Sequence, residues 1–220
     1  MHYGETPFRD REDAGRRLAE RLAEYRDEDP VVLALPRGGV PVGYEISRAL
    51  NAPLDVFIAR KLGAPGREEF GIGAVAQGGV RVFNERAVRA LDISEEYIER
   101  TAQRETAEIE RRLQLLRGHR PEPEVQRRTV ILVDDGLATG VTALAAVRAL
   151  HQRAPRRLIL AAPVCAAQTT EALRSEVDDL VCLEAPSDLM AIGLWYQDFE
   201  QVSDEEVMEL LEGAQSTRTE

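Results

Sequence analysis

The chain has 220 residues, 44% of them hydrophobic and 5% aromatic, enough to bury the core of one medium-sized domain. Its formal net charge of -11 and pI near 4.9 oppose a nucleic-acid or anionic-membrane partner unless a basic patch offsets the repulsion. The Arg residues are interleaved with Glu and Asp and form no such patch, no window approaches the roughly 18 apolar residues of a membrane span, and the N-terminus lacks a basic stretch leading into an apolar run, so a soluble, cytoplasmic chain is expected.

The opening segment RDREDAGRRLAERLAEYRDED sets Ala14, Leu18, Leu22 and Tyr25 at helical spacing among charges, which predicts a surface helix ended by Pro30. VVLALPRGGVPVGYEISRAL then reads as a buried strand over 31–35, a PRGG turn and a helix over 41–50. LDVFIARKLG predicts a second strand, from residue 54, that ends on Arg60 and Lys61; Lys61 is the sole Lys of the chain. Six Gly fall between residues 63 and 79, and the charged tip Arg67-Glu68-Glu69 lies among them. Residues 62–70 are therefore expected to be a mobile loop, with two strands after it.

Ser94 is placed to cap a long helical insertion over 95–117, with Ile98, Ala102, Ile109, Leu113 and Leu116 inward. GHRPEPEVQRR is a linker. A third strand, a loop and a helix over 141–151 follow from VILVDDGLATGVTA, RRLILAAPVC is a fourth strand, 168–176 a helix, and DDLVCLEA a fifth strand. The last part, 185–212, has a dense aromatic cluster, Trp195, Tyr196 and Phe199, and a final helix whose Ser203 and Glu206 fit a capping box; 213–220 read as a disordered tail. Cys165 and Cys182 sit in apolar runs and are expected to be reduced thiols.

Strands alternating with helices at this spacing predict an α/β fold with a mainly parallel central sheet and helices on both faces, in one domain over 1–212 with its core at 31–184. Ligands of such sheets bind beyond the carboxyl ends of the strands. Three polar clusters fall there: Arg37 to Gly39, Arg60 with Lys61, and Asp134 to Thr142. In DDGLATGVT, Thr139, Gly140 and Thr142 stand where a helix begins, so backbone N–H groups, hydroxyls and the helix dipole face an anion site. Taken alone, ATGVT is equally a cap and a turn. The two acids before it are costly at the end of a buried strand unless a cation or ligand hydroxyls satisfy them, and a vicinal diol beside a phosphate would do so.

VILVDDGLATGVT resembles the phosphoribosyl pyrophosphate (PRPP) motif of type I phosphoribosyltransferases. The resemblance implies that Asp134 and Asp135 hold the ribose hydroxyls and that Ala138, Thr139, Gly140, Val141 and Thr142 wrap the 5-phosphate. LPRGG resembles the family's pyrophosphate loop, implicating Arg37, Gly38 and Gly39 and implying a cis Arg37–Gly38 peptide. ARK resembles the strand whose end meets pyrophosphate, implicating Arg60 and Lys61, and residues 62–80 stand where the family has its flexible catalytic loop. The 185–212 segment would be a small C-terminal hood over the acceptor, with Trp195, Tyr196 or Phe199 stacking on it, though these rings equally suit packing of the hood. The implied catalytic set is Asp134, Asp135, Lys61 and Arg60, with Mg2+ held mainly through the substrate and open to Asp134 and Asp135. A homodimer acting on small molecules, PRPP and an acceptor, is implied as well.

At the position of Ala138 the hypoxanthine and guanine enzymes carry an Asp, so a 6-oxopurine acceptor is disfavoured; the loop reads more like that of adenine phosphoribosyltransferase. The expected chemistry is transfer of a 5-phosphoribosyl group to a nitrogen nucleophile with release of pyrophosphate. The alternative is a PRPP or nucleotide sensor on the same fold, without transfer. A phospho-accepting receiver domain fails on order, since its Lys lies downstream of its acids and Lys61 lies upstream. His2, His119 and His151 fall in no metal-ligand spacing, and no GxSxG elbow occurs.

Overall fold

The chain winds outward from its first strand in both directions. The structure, a computed structural model, describes residues 8–216. Its first half holds α1 (Arg11–Arg21), β1 (Pro30–Ala34), α2 (Gly39–Leu50), β2 (Leu54–Val56), β3 (Ala59–Ala64), β4 (Arg67–Ala76), β5 (Arg81–Phe83), α3 (Glu85–Ala90) and α4 (Glu95–Arg117). The second half holds β6 (Thr129–Val133), α5 (Val141–His151), β7 (Arg157–Val164), α6 (Ala167–Arg174), β8 (Asp179–Glu184) and α7 (Asp204–Ser216).

The main sheet has the order β2-β1-β6-β7-β8 and every pair in it is parallel. Both faces of its central strands are covered, as their unbroken apolar runs require. Val32, Ala34, Ile131 and Val133 enter one core with α1, α2, α4 and α7. Val31, Leu33, Val130 and Leu132 enter the other with α5 and Leu173 of α6. The winding reverses between β1 and β6, and the crevice at the carboxyl ends of those two strands is where such a sheet accepts a ligand.

Local signals in the sequence hold at most boundaries. Ser94 Oγ accepts from the Tyr97 amide, and α4 spans the expected residues. Ala14, Leu18, Leu22 and Tyr25 are all buried, but α1 stops at Arg21 and a 3-10 turn over Ala23–Glu28 carries Tyr25 into the core before Pro30 opens β1. Ser203 Oγ accepts from the Glu206 amide at the start of α7. That helix runs on to Ser216, so 213–216 are helical and not tail; residues 217–220 lie outside the described residues.

Two expectations change. The strand from residue 54 is two strands. After β2, Phe57 and Ile58 bury in opposite cores and the chain leaves the main sheet for a second, antiparallel one of order β3-β4-β5. The segment read as a mobile loop is the β3–β4 hairpin, with Ala64 paired to Arg67 around Gly66 at φ +67°. Its glycines serve close approach: a Cβ on Gly63 would lie 2.5 Å from the Glu68 carbonyl oxygen. Tyr97 of α4 donates to the Gly63 carbonyl at 3.0 Å and pins the hairpin.

The insertion helix is tied back by a buried ion pair. Arg117 Nε lies 2.7 Å from Asp55 Oδ2, with the two side chains 12% and 7% exposed, and burial pushes the Asp55 carboxyl above its usual value despite Arg117. Arg117→Met, which leaves that acid buried without its cation, is expected to cost about 3–5 kcal/mol in urea denaturation, and adding Asp55→Leu should recover most of it. Equal stability of wild type and Arg117→Met would contradict this account.

Candidate functional site

The two acids follow β6 directly, and the turn after β1 is packed against them. A Cβ on Gly38 would lie 1.9 Å from Asp135 Oδ2, and one on Gly39 would lie 2.7 Å from the Val133 carbonyl oxygen. Any larger residue in either place would push the PRGG turn off the carboxylates. The cis peptide is Pro36–Arg37, one bond earlier than expected. Gly38 already has helical backbone angles and the Arg37 carbonyl accepts from Val40, so the Arg37–Gly38 peptide belongs to the first turn of α2.

The phosphate-type loop is supported from below. Gly140 has φ +67°, and a Cβ there would meet the Thr169 methyl at 2.5 Å and Leu173 at 3.0 Å. Thr169 Oγ1 donates to the Ala138 carbonyl and so engages that oxygen. Among the described residues the amides of Ala138, Thr139, Gly140, Val141 and Thr142 have no hydrogen-bond partner, while Leu144 closes the first helical bond onto Gly140. Ala138 and Thr139 are exposed and Thr142 is half-buried. The result is an amide-lined helix start without a side-chain cap, the geometry that takes an oxyanion.

Asp134 and Asp135 differ. Asp134 Oδ1 accepts from the Asp135 amide at 2.9 Å, and burial together with the Asp135 charge pushes the Asp134 carboxyl well above the usual carboxylate range. Asp135 is held by a residue the sequence reading missed: Arg11 Nε donates to Asp135 Oδ2 at 2.8 Å, both side chains nearly buried. Arg11 Nη1 also donates to the Glu200 carbonyl, and its guanidinium lies 3.8 Å from the centre of the Phe199 ring. Nothing in REDAGRR singles out Arg11, which is one of several Arg on an amphipathic helix.

The basic residues expected together are separated. Arg37 Nη1 faces Asp204 of α7 at 3.8 Å. Arg60 is bound to Glu105 of α4 at 2.5 Å, and its strand partner Val75 belongs to the α4 core. Lys61 pairs with Ala74, which belongs to the α5 core, and its stem runs across Gly71. Adjacent strand residues point to opposite faces, so Lys61 alone of the two lies on the face toward α5.

The hood is built from both ends of the described chain. Phe8 pairs with Tyr196: the Phe8 amide donates to the Trp195 carbonyl and the Gln197 amide to that of Phe8. Tyr196 is buried and its hydroxyl donates to the Asp135 carbonyl at 2.6 Å. Phe199 is stacked with Tyr196, centroids 4.9 Å apart, and has the Arg11 guanidinium 3.8 Å from its ring centre, so both rings are engaged in packing the hood. Trp195 is half-buried in the same cluster. The hood meets the acids through Gly136, where a Cβ would strike Ile192 at 2.5 Å.

Among the described residues no group of three or more His, Cys, Asp or Glu is arranged to hold a metal ion. Asp134 and Asp135 still fit Mg2+, which keeps several waters and is bound by one or two carboxylates together with substrate phosphates. Cys165 and Cys182 are free thiols, and no helix is long and apolar enough to cross a membrane among the described residues.

The raised Asp134 carboxyl predicts a sign. A folded-state pKa above the ordinary value of 3.8 means that ionised Asp134 destabilises the fold, fully so above the raised pKa and not at all below about pH 4. Asp134→Asn keeps an acceptor for the Asp135 amide, so its melting temperature should exceed wild type by a few degrees at pH 7. That gain should shrink to nothing as pH falls toward 4. A thermal shift series across pH with no gain at pH 7 would refute the assignment.

The family model described as the phosphoribosyl transferase domain matches residues 8–198. Two putative phosphoribosyl transferases of Mycobacterium tuberculosis, from strains CDC 1551 and H37Rv, are each 39% identical over 207 residues, which is 94% of this chain and 47% of theirs. The chain thus spans about half the length of these curated relatives. A crystal structure of the protein TT1426 from Thermus thermophilus superposes with a TM-score of 0.79 at 44% identity, covering 93% of this chain and 97% of that one. By the family match over most of its length, the chain belongs to the phosphoribosyl transferase domain family.

Proposed function

We propose that the chain binds PRPP with Mg2+ and transfers its 5-phosphoribosyl group to a nitrogen nucleophile. The observation that carries this reading is the convergence, at the reversal point of the sheet, of a glycine turn and an amide-lined loop on two adjacent carboxylates. The amides and hydroxyls from Ala138 to Thr142 take the 5-phosphate, and Asp134 and Asp135 take the ribose hydroxyls. Gly38 and Gly39 bring backbone close to the pyrophosphate. The nucleophile's lone pair forms the new bond to C1, the C1–oxygen bond breaks, and pyrophosphate leaves with that electron pair while the nucleophile sheds a proton. Positive charge grows on the ribose beside the two acids, and negative charge grows on the leaving group, where Lys61, Arg37 and the glycine-turn amides serve it. Bound Mg2+ would neutralise pyrophosphate charge, with Asp134 and Asp135 as the protein ligands available.

Ala138 offers no carboxylate to the acceptor, which supports a base other than a 6-oxopurine, or a small amine. The packing roles of Tyr196 and Phe199 leave Trp195 as the hood ring available to an acceptor. One observation favours a PRPP or nucleotide sensor as the second reading: Arg60 and Arg37 already face Glu105 and Asp204, which weakens the cationic surround of a leaving group.

Calorimetry with PRPP and Mg2+, followed by a pyrophosphate-release screen over bases and amines, tests both readings. Wild type should bind PRPP, and Asp134→Asn/Asp135→Asn should lose at least about tenfold in affinity, since each hydrogen bond to a charged group contributes about 1.5–3 kcal/mol. Absence of binding by wild type refutes the reading, and binding without turnover on any acceptor selects the sensor. Separately, Lys61→Ala should weaken PRPP more than a nucleoside monophosphate, whereas Arg60→Ala should lower the melting temperature more than it changes either affinity. Equal losses of both ligands in Lys61→Ala would remove Lys61 from the pyrophosphate site.

A further inference from the structure

Resting on that reading, we propose that Arg11 is a positioning residue for the ribose site, one that makes the aim of Asp135 depend on a closed hood. Arg11 comes from α1, far in sequence from the acids, and its side chain is only 12% exposed. Three contacts hold its guanidinium: Nε on Asp135 Oδ2, Nη1 on the Glu200 carbonyl, and the plane on Phe199. Two of these three partners, Glu200 and Phe199, belong to the hood.

The contact leaves half of the carboxylate available. Oδ2 is enclosed by Arg11 and by Gly38, whose would-be Cβ lies 1.9 Å away, while Oδ1 accepts nothing from Arg11. An Arg that blocked the acid would take both oxygens in the bidentate manner open to a guanidinium. Here a single Nε bond orients the carboxylate and leaves Oδ1 to accept from a sugar hydroxyl. The Arg11 charge also opposes the upward push on the Asp134 carboxyl, so the same residue offsets part of the repulsion between the two acids. Tyr196 fixes the backbone of the same aspartate through its carbonyl. Asp135 is therefore held at its main chain by Tyr196 of the hood and at its side chain by Arg11, which the hood in turn holds, and displacement of the hood would release both.

The test reads the contribution of a ribose hydroxyl separately from that of the phosphate. Methyl ribofuranoside 5-phosphate, whose ring cannot open, is compared by calorimetry with its 2-deoxy and 3-deoxy analogues and with inorganic phosphate. Wild type should lose about tenfold in affinity when the hydroxyl that meets Asp135 is removed, the size of one hydrogen bond to a charged acceptor. In Arg11→Met that loss should shrink to twofold or less while phosphate affinity stays within twofold. Arg11→Lys, which keeps a charged donor, should restore part of it. Phe199→Leu, which removes the ring beneath the guanidinium, should reduce it too and carries the test if Arg11→Met does not fold. An undiminished hydroxyl contribution in these variants overturns the positioning role, and so does tighter sugar-phosphate binding by Arg11→Met, which would make Arg11 a block. Failure of wild type to bind either PRPP or the sugar phosphate would instead refute the underlying reading, and this inference with it.

Discussion

Asp134 and Asp135 place two like charges side by side at the end of β6, a strand with all five residues buried, and much of the surrounding structure accommodates that charge. The PRGG turn approaches the acids with glycines because no side chain would fit. Arg11 reaches in from the first helix to pair with one acid, and the backbone amide of Asp135 is turned onto the other. A few residues further on, the start of α5 presents amides that favour a negatively charged group. On the proposed reading acid pair and anion loop do not compete, because they would address a diol and a phosphate a few bonds apart.

The cations are distributed by simple geometry. Arg60 and Lys61 are neighbours in sequence, yet strand alternation assigns one to the α4 face and the other to the α5 face. Glu105 then takes Arg60 and leaves Lys61 as the basic residue of the pair on the α5 face of the small sheet. The hood has a similar logic. Its rings stack on one another and on Arg11, so aromatic residues that look available to a base in sequence are mostly occupied in holding the hood to the acids.

Much of this was legible from local pattern. The apolar runs over β1, β6 and β7, the Ser94 cap of α4 and the glycine at the start of α5 are short-range signals, and each element lies where its signal puts it. The hairpin of β3 and β4 was misread because Gly63, Gly66, Gly71 and Gly73 suggest freedom, whereas three of them allow close contact with a neighbouring strand or with the Lys61 stem. The division of residues 54–64 between two sheets was hidden because one apolar run serves either sheet equally, and only the opposite burial of Phe57 and Ile58 marks the break.

The sequence by itself determined the parallel α/β sheet, the acid pair and the anion loop, because strand periodicity, helix starts and glycine turns are written within a few residues of each other. Tertiary structure alone decided which side chains meet there. Arg11 and Asp135 are 124 positions apart, and Arg11 and Glu200 are 189 apart. Contacts at that separation leave no periodic trace in the chain, since they arise only when the sheet brings α1, β6 and the hood to one edge.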